Sequence, residues 1–141
     1  MMTRPEWMAI LARASAEELQ DLPSPLPAHR VIRGPEIGLT MLRGRAGGDG
    51  AAFNLGEATI TRCSVTLENG TLGHCWRLGR DRRVAELAAL LDACLQQPEW
   101  QEMLLAEIVT PLRQRQQEAA ALTARRAAAT EVRFATLATM R

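Results

Sequence analysis

Lysine is absent from this chain, and all 17 of its basic residues are arginine. Arginine suits planar, bidentate recognition of carboxylate and phosphate groups, although a genome that favours arginine codons would explain the same bias more simply. The 16 acidic residues leave a formal net charge of only +1. A charge this small does not argue for a nucleic-acid or membrane partner, and we expect neither.

Cysteine is scarce as well: Cys63, Cys75 and Cys94 are the three in the chain, and they form no CxxC motif. This odd number favours reduced thiols in a reducing compartment over disulfides or a metal site. Long apolar runs are missing, so the sequence predicts no transmembrane helix and no signal peptide. We therefore expect a soluble, cytoplasmic protein with no metal ligands and no cofactor of its own.

The 141 residues suit one compact domain with a core and are too few for two. We predict a single domain over 1–141, with an N-terminal helical arm at 1–22. A sheet and a central helix would follow at 28–97, and C-terminal helices with a tail at 98–141. The arm is predicted from apolar residues that recur at helical spacing after Thr3, and from the prolines that follow it.

Asn69-Gly70 lies between two runs rich in Thr, Val, Ile, Leu and Trp, which predicts a β-hairpin with a two-residue turn. In that register Cys63 faces Trp76 and Val65 faces His74 on the buried face. Ser64 faces Cys75 and Arg62 faces Arg77 on the other face, so Cys63 and Cys75 would point to opposite faces. Like charges directly across a strand pair are destabilising. The two arginines would therefore either extend into water or face an anion or an acidic partner surface.

A second hairpin is predicted from strands at Ala28–Arg33 and Ile37–Arg43 around a Gly34-Pro35 turn. Together the two hairpins predict an α+β fold. In it, a four-stranded antiparallel sheet packs against helices, and the N-terminal arm and an extended C-terminal helix extend from it. The glycine-rich segment 44–56 lacks the ending of a phosphate-binding loop, so we expect a flexible connection there.

Asp81 is a good N-cap for the central helix, whose buried stripe is predicted to include Val84, Ala88 and Leu91. Pro98 suits the start of the next helix. The alanine-rich segment 113–129 has little apolar surface, so it would lie loosely on the domain or be held by another chain. Residues 132–137 alternate briefly and could be extended.

Four charged residues, Glu57, Arg62, Arg80 and Asp81, are predicted to meet at one end of the hairpin. They would form either a salt-bridge cluster or a rim that contacts a substrate or a partner. We expect Trp76 and Trp100 to anchor the core or an interface. No spacing in the chain matches a nucleophile elbow or a metal-binding motif, so the catalytic residues, if any, are unknown.

An ordered set of short motifs resembles the PhnG family, whose members are subunits of the bacterial carbon–phosphorus lyase core complex. The residues that carry the resemblance are Gly56-Glu57-Ala58-Thr59, Thr61-Arg62, Gly70-Thr71-Leu72-Gly73, Trp76, Gly79-Arg80-Asp81, Ala85-Glu86 and Ala89-Leu90-Leu91-Asp92-Ala93. Further matches are Arg4, Trp7-Met8, Leu11-Ala12, Glu36, Gly38-Leu39, Gly47-Gly48, Gly50 and Pro111-Leu112.

The resemblance implies a supporting subunit in organophosphonate catabolism. The implied reaction transfers the ribose 5-triphosphate moiety of ATP to a phosphonate, such as methylphosphonate, and releases adenine. The implied partners are the PhnH, PhnI and PhnJ subunits, and the ATP-binding proteins PhnK and PhnL are further candidates. The family's cluster-binding cysteines belong to another subunit.

Two other functions stay open from the residues alone. The chain could be an enzyme in its own right, a nucleosidase or a phosphoribosyl-type transferase, with Glu57 and Asp81 as its candidate carboxylates. It could also be a stand-alone anion- or nucleotide-binding domain unrelated to phosphonates. Turnover of ATP by the isolated chain would favour the enzyme, whereas a genomic neighbourhood without phosphonate genes would favour the binding domain.

Overall fold

The computed structural model describes residues 1–23, 25–47 and 50–134, and these residues form an α+β fold. Its elements are α1 (Arg4–Ala12), β1 (His29–Gly44), β2 (Phe53–Leu67), β3 (Leu72–Leu78), α2 (Arg82–Leu95), α3 (Pro98–Leu104), a π-helical turn (Leu105–Val109) and α4 (Thr110–Ala129). Of these helices, none is long and apolar enough to cross a membrane.

The sheet has three antiparallel strands in the order β1-β2-β3, so the prediction of four strands is wrong. The two strands predicted around Gly34-Pro35 are one continuous strand, β1, which pairs with β2 along its length. Gly34 has a φ of +74°, and the pairing shifts between Arg33 and Glu36. These residues form a bulge and not a turn. Glycine and proline are common in both, which is why the sequence suggested a chain reversal.

The hairpin of β2 and β3 is confirmed, but its turn is one residue longer than predicted. The Leu67 amide donates to the Thr71 carbonyl at 2.9 Å, and the Gly70 amide donates to the Leu67 carbonyl at 3.0 Å. Gly70 has a φ of +86°. This geometry is typical of a three-residue loop that ends in a glycine bulge.

The longer turn shifts the register by one residue, which moves the side chains of one strand to the other face. Arg62 lies opposite Trp76, and Cys63 lies opposite Cys75. The predicted pairing of Arg62 with Arg77 is therefore wrong, as is the prediction that the two cysteines point to opposite faces. His74, expected on the buried face, lies opposite Ser64 on the other one.

One face of the sheet, the inner face, is covered by α1 and α2. Ten of the 14 residues of α2 are buried, including the predicted stripe residues Val84, Ala88 and Leu91. Trp7, Ile10 and Leu11 of α1 are buried in the same core. The N-terminal helix therefore packs into the domain and does not extend from it as an arm.

The C-terminal helices follow the prediction more closely. Proline cannot donate the helical hydrogen bond at position 111, and the π-helical turn ends at Val109, two residues before it. Leu112 is the buried residue of α4, so this 20-residue helix contributes little to the core. The predicted extension at 132–137 lies partly outside the described residues.

Beyond β3, the two longer strands continue as a two-stranded ribbon. The pairing of β2 with β3 starts at Ile60, whereas residues 53–58 pair with β1 alone. At about 3.3 Å per residue, this ribbon is about 20 Å long. It extends the sheet beyond β3, and several of its large apolar side chains are exposed.

Candidate functional site

The most heavily bonded polar group in the fold is the carboxylate of Asp92, which is buried in α2. It accepts hydrogen bonds from Arg4 Nε at 3.1 Å and Nη2 at 2.8 Å, and from Trp7 Nε1 at 2.9 Å. The backbone amide of His74 donates a further bond at 3.0 Å. One carboxylate thus connects α1, α2 and β3. The bond to Asp92 also raises the pKa of Arg4 above its ordinary value.

This cluster is not among the sites predicted from the sequence, although one signal was available. Asp92 lies four residues after Ala88 and seven after Ala85, on the stripe that α2 buries. A charged residue on a buried stripe needs partners, because an unpaired buried charge is strongly destabilising. The identity of the partner could not be predicted, because Arg4 is 88 residues away in the chain.

On the outer face of the sheet, Arg62 forms an ion pair with Glu36 through Nε and Oε1. Its guanidinium carbon also lies 5.9 Å from the centre of the Trp76 ring, within the range of a cation–π interaction. Arg33 donates to the same carboxylate oxygen at 2.8 Å. The hydrogen bonds from Arg33 and Arg62 hold the pKa of Glu36 below its usual value, so this carboxylate is charged at neutral pH.

The other three predicted rim residues lie apart from this group. Asp81 caps α2, because its Oδ1 accepts from the Val84 amide at 3.0 Å, as predicted. Arg80 is exposed in the preceding bend, and Glu57 is exposed on the ribbon opposite Met41. Within residues 1–23, 25–47 and 50–134, no ion pair joins any two of the four predicted rim residues. Their contact with a substrate or a partner stays a prediction.

The two predicted anchors differ in their surroundings. Trp100 is partly buried and packs against the core. Trp76 is 59% exposed on the outer face, close to Leu78 at 65% exposed. Because Trp76 has a solvent-facing ring beside Arg62, it can still contact another molecule. Its role as an interface anchor also stays a prediction.

The remaining groups of chemical interest are the three cysteines, a serine–histidine pair and the potential metal ligands. All three cysteines are buried and free, and burial raises the pKa of each thiol to about 11. They are therefore neutral and unreactive at physiological pH. On the outer face, Ser64 Oγ lies 2.8 Å from His74 Nδ1. In the part of the chain that the structure describes, no three His, Cys, Asp or Glu residues are grouped to hold a metal ion.

Comparison with known proteins points to one family. Residues 2–139 match the family model described as phosphonate metabolism protein PhnG. A protein of Rhizobium meliloti (strain 1021) is 48% identical over 96 residues and is described as alpha-D-ribose 1-methylphosphonate 5-triphosphate synthase subunit PhnG. The alignment covers 66% of this chain and 62% of that relative.

Proposed function

Because the chain belongs to the PhnG family of phosphonate metabolism proteins, we propose that it is a supporting subunit of a ribose 1-methylphosphonate 5-triphosphate synthase. The family match over nearly the whole chain carries this proposal. The proposed partners are the PhnH, PhnI and PhnJ subunits, with PhnK and PhnL as further ATP-binding candidates. We propose a cytoplasmic location for this assembly, because its substrate would be ATP.

The proposed reaction exchanges one bond at the ribose. An oxygen of the phosphonate forms a bond to C1′ of ATP, and the bond from C1′ to adenine breaks. Adenine leaves with a proton, and the 5′-triphosphate stays on the sugar. We assign this chain to support of the reaction, through its contacts with the other subunits.

The exposed apolar surface of the ribbon supports a role in assembly. By strand alternation and pairing, Leu39 and Met41 lie on the inner face of the ribbon, whereas Phe53 and Leu55 lie on its outer face beside Gly44. Each of these four side chains is at least 46% exposed. Exposed apolar side chains grouped on both faces of one short ribbon indicate an interaction surface, which partner subunits would cover in the proposed assembly.

The anionic substrates of the proposed reaction suggest a role for Arg62 and Arg80. Arg80 is exposed and lies at the start of α2, where it can bind a phosphate group or a partner carboxylate through two nitrogens. Arg62 already has Glu36 as a partner, so a phosphate would compete with that carboxylate. We therefore propose Arg80 as the stronger of the two contacts.

Co-expression tests this function. The chain would carry the affinity tag, and the purified material would be separated by size-exclusion chromatography and assayed for adenine release from ATP and methylphosphonate. We expect the PhnH, PhnI and PhnJ subunits to co-elute and adenine release to require them. Arg80→Ala should lower the rate about tenfold, the effect of one lost charged hydrogen bond of about 1.5 kcal/mol. The exposed control Arg133→Ala should leave the rate unchanged.

Two results would contradict the proposal. Adenine release by the isolated chain would make it an enzyme in its own right. A folded, monomeric chain that co-elutes with none of the three subunits would instead favour a stand-alone binding domain.

A further inference from the structure

The outer edge of β3 combines unpaired strand backbone with a guanidinium group that lacks acceptors. β3 is an edge strand, because the sheet order is β1-β2-β3. Its exposed edge is therefore a place where another strand could pair. The hydrogen-bond pattern shows which backbone groups are available.

The residues of β3 that bond to β2 alternate with residues that point away from it. The Leu67 amide bonds to the Thr71 carbonyl, and the Gly79 amide bonds to the Thr59 carbonyl. These bonds fix the odd-numbered residues of β3 as the ones paired with β2. The N–H and C=O groups of Leu72, His74, Trp76 and Leu78 therefore face outward.

The first half of this edge is already occupied. The Leu72 carbonyl accepts from Arg4 Nη2 at 3.4 Å and from Gln96 Nε2 at 2.7 Å. The His74 amide donates to Asp92. Among the residues that the structure describes, none bonds to the outward backbone groups from the His74 carbonyl to the Leu78 amide.

Arg77 lies at the open half of the edge, on the inner face and near the end of α1. A surface pocket at this point is lined by Ala12, Arg13, Trp76, Arg77 and Leu78. Two nitrogens of Arg77, Nε and Nη1, are buried, and no acceptor within residues 1–23, 25–47 and 50–134 bonds to them. Leaving a buried donor unsatisfied costs about 1–3 kcal/mol, so an acceptor that reaches the Arg77 guanidinium would stabilise the chain.

We propose that the edge of β3 from His74 to Leu78 binds an extended, acidic segment of a partner subunit as a fourth strand, with a carboxylate of that segment paired to Arg77. This inference rests on the proposed function, since it assumes that the chain assembles with other subunits. Backbone bonding to a sheet edge gives affinity, and side chains on the added strand give specificity. Exposed Trp76 and Leu78 would cover the strand's outer side.

Charge favours an acidic segment of another subunit over two other possible occupants of the β3 edge. A second copy of this chain, paired edge to edge, would bring two copies of Arg77 together, and like charges repel. The chain's own last ten residues, 132–141, contain arginine and no acidic side chain. They cannot supply a side-chain carboxylate to Arg77, whereas an acidic segment of another subunit can.

Amide hydrogen exchange resolved by residue gives the most specific test. In the isolated chain, we expect the amides of Trp76 and Leu78 to exchange freely and those of Cys75 and Arg77 to be protected by β2. In the co-purified assembly, the Trp76 and Leu78 amides should become protected at least about tenfold, as bonded strand amides are. A helix or a loop docked on the same surface would not restore this alternating pattern.

Three variants test the two parts of the contact. Leu78→Pro removes an outward amide and leaves the bonding to β2 intact, so it should weaken assembly at least about tenfold. Leu78→Ala, the matched control, retains the amide and should weaken assembly much less. Arg77→Met removes the buried cation, so it should also weaken assembly, while the melting temperature of the isolated chain stays the same or rises.

The outcomes distinguish this proposal from the proposed function. If the wild-type chain assembles but the Trp76 and Leu78 amides stay unprotected, or if Leu78→Pro and Arg77→Met assemble like the wild type, the docking proposal is overturned and the proposed function stands. If the wild-type chain assembles with no subunit, both fail. If Arg77→Met lowers the melting temperature and leaves assembly unchanged, Arg77 is a structural residue and the proposal is wrong.

Discussion

Asp92→Ala is expected to lower the free energy of unfolding by about 3–5 kcal/mol, the range for removing one partner of a buried ion pair. The substitution leaves the Trp7 indole N–H and the His74 amide without their acceptor, and the Arg4 guanidinium without its counter-charge. These groups belong to α1 and β3, so the change weakens the attachment of both to α2. Against a total stability of about 5–15 kcal/mol, this is a severe loss.

Urea denaturation monitored by circular dichroism measures this effect. Arg33→Ala is the matched control, because it breaks an ion pair with Glu36 whose side chains are 60% and 41% exposed. Exposed pairs contribute about 0–1 kcal/mol, so the control should unfold nearly like the wild type. A loss below about 1 kcal/mol for Asp92→Ala would show that the carboxylate does not hold the three elements together.

Gly73→Ala is the second substitution with a large expected effect, because Gly73 lies where β3 and α2 approach most closely. A Cβ added there would overlap the Ala89 carbonyl oxygen and lie 2.7 Å from the Ala93 amide and 2.8 Å from the Ala93 Cβ. Backbone atoms of a helix cannot rotate away, so α2 would have to move as a unit. We expect a loss of about 3 kcal/mol or more, at the upper end of overpacking.

Thermal unfolding compares this variant with a strand glycine that has room. A Cβ added at Gly38 would meet nothing within 4 Å, so Gly38→Ala should have the wild-type melting temperature within about 2 °C. Gly73→Ala should melt about 10 °C lower. Similar melting temperatures for the two variants would mean that α2 does not rest against β3 at this point.

Local patterns in the sequence predicted most of the helices and the central hairpin. Helix α2 was predicted from the spacing of Val84, Ala88 and Leu91, because a helix repeats every 3.6 residues, and from the cap at Asp81. The chain reversal between β2 and β3 was predicted from Asn69-Gly70. These features depend on neighbouring residues alone, so the sequence carries them directly.

Features that depend on small differences in backbone geometry were predicted incorrectly. A two-residue and a three-residue turn both accept Gly70 at a positive φ, yet they put Arg62 opposite different residues. A bulge and a turn both accept Gly34-Pro35, yet one gives a continuous strand and the other a hairpin. The local sequence does not distinguish the two turn lengths, or the bulge from the turn, because the pairing of the strands determines which one forms.

The candidate site was the least predictable part. The prediction from the sequence grouped Arg62 with Arg80, Glu57 and Asp81, whereas in the fold Arg62 pairs with Glu36 across two strands. The contacts of Asp92 with Arg4 and of Trp76 with Arg62 depend on the register and on long-range packing. The family resemblance was more informative than the charged residues, because it rests on many positions at once.

Omission of this chain from the proposed complex is the measurement that tests the central claim most directly. The PhnH, PhnI and PhnJ subunits would be assayed for adenine release from ATP and methylphosphonate, with and without this chain. If this chain is a supporting subunit, the other three subunits should release little adenine without it, and this chain should release none alone. Mixing all four should restore the activity. Full activity without this chain would contradict the account.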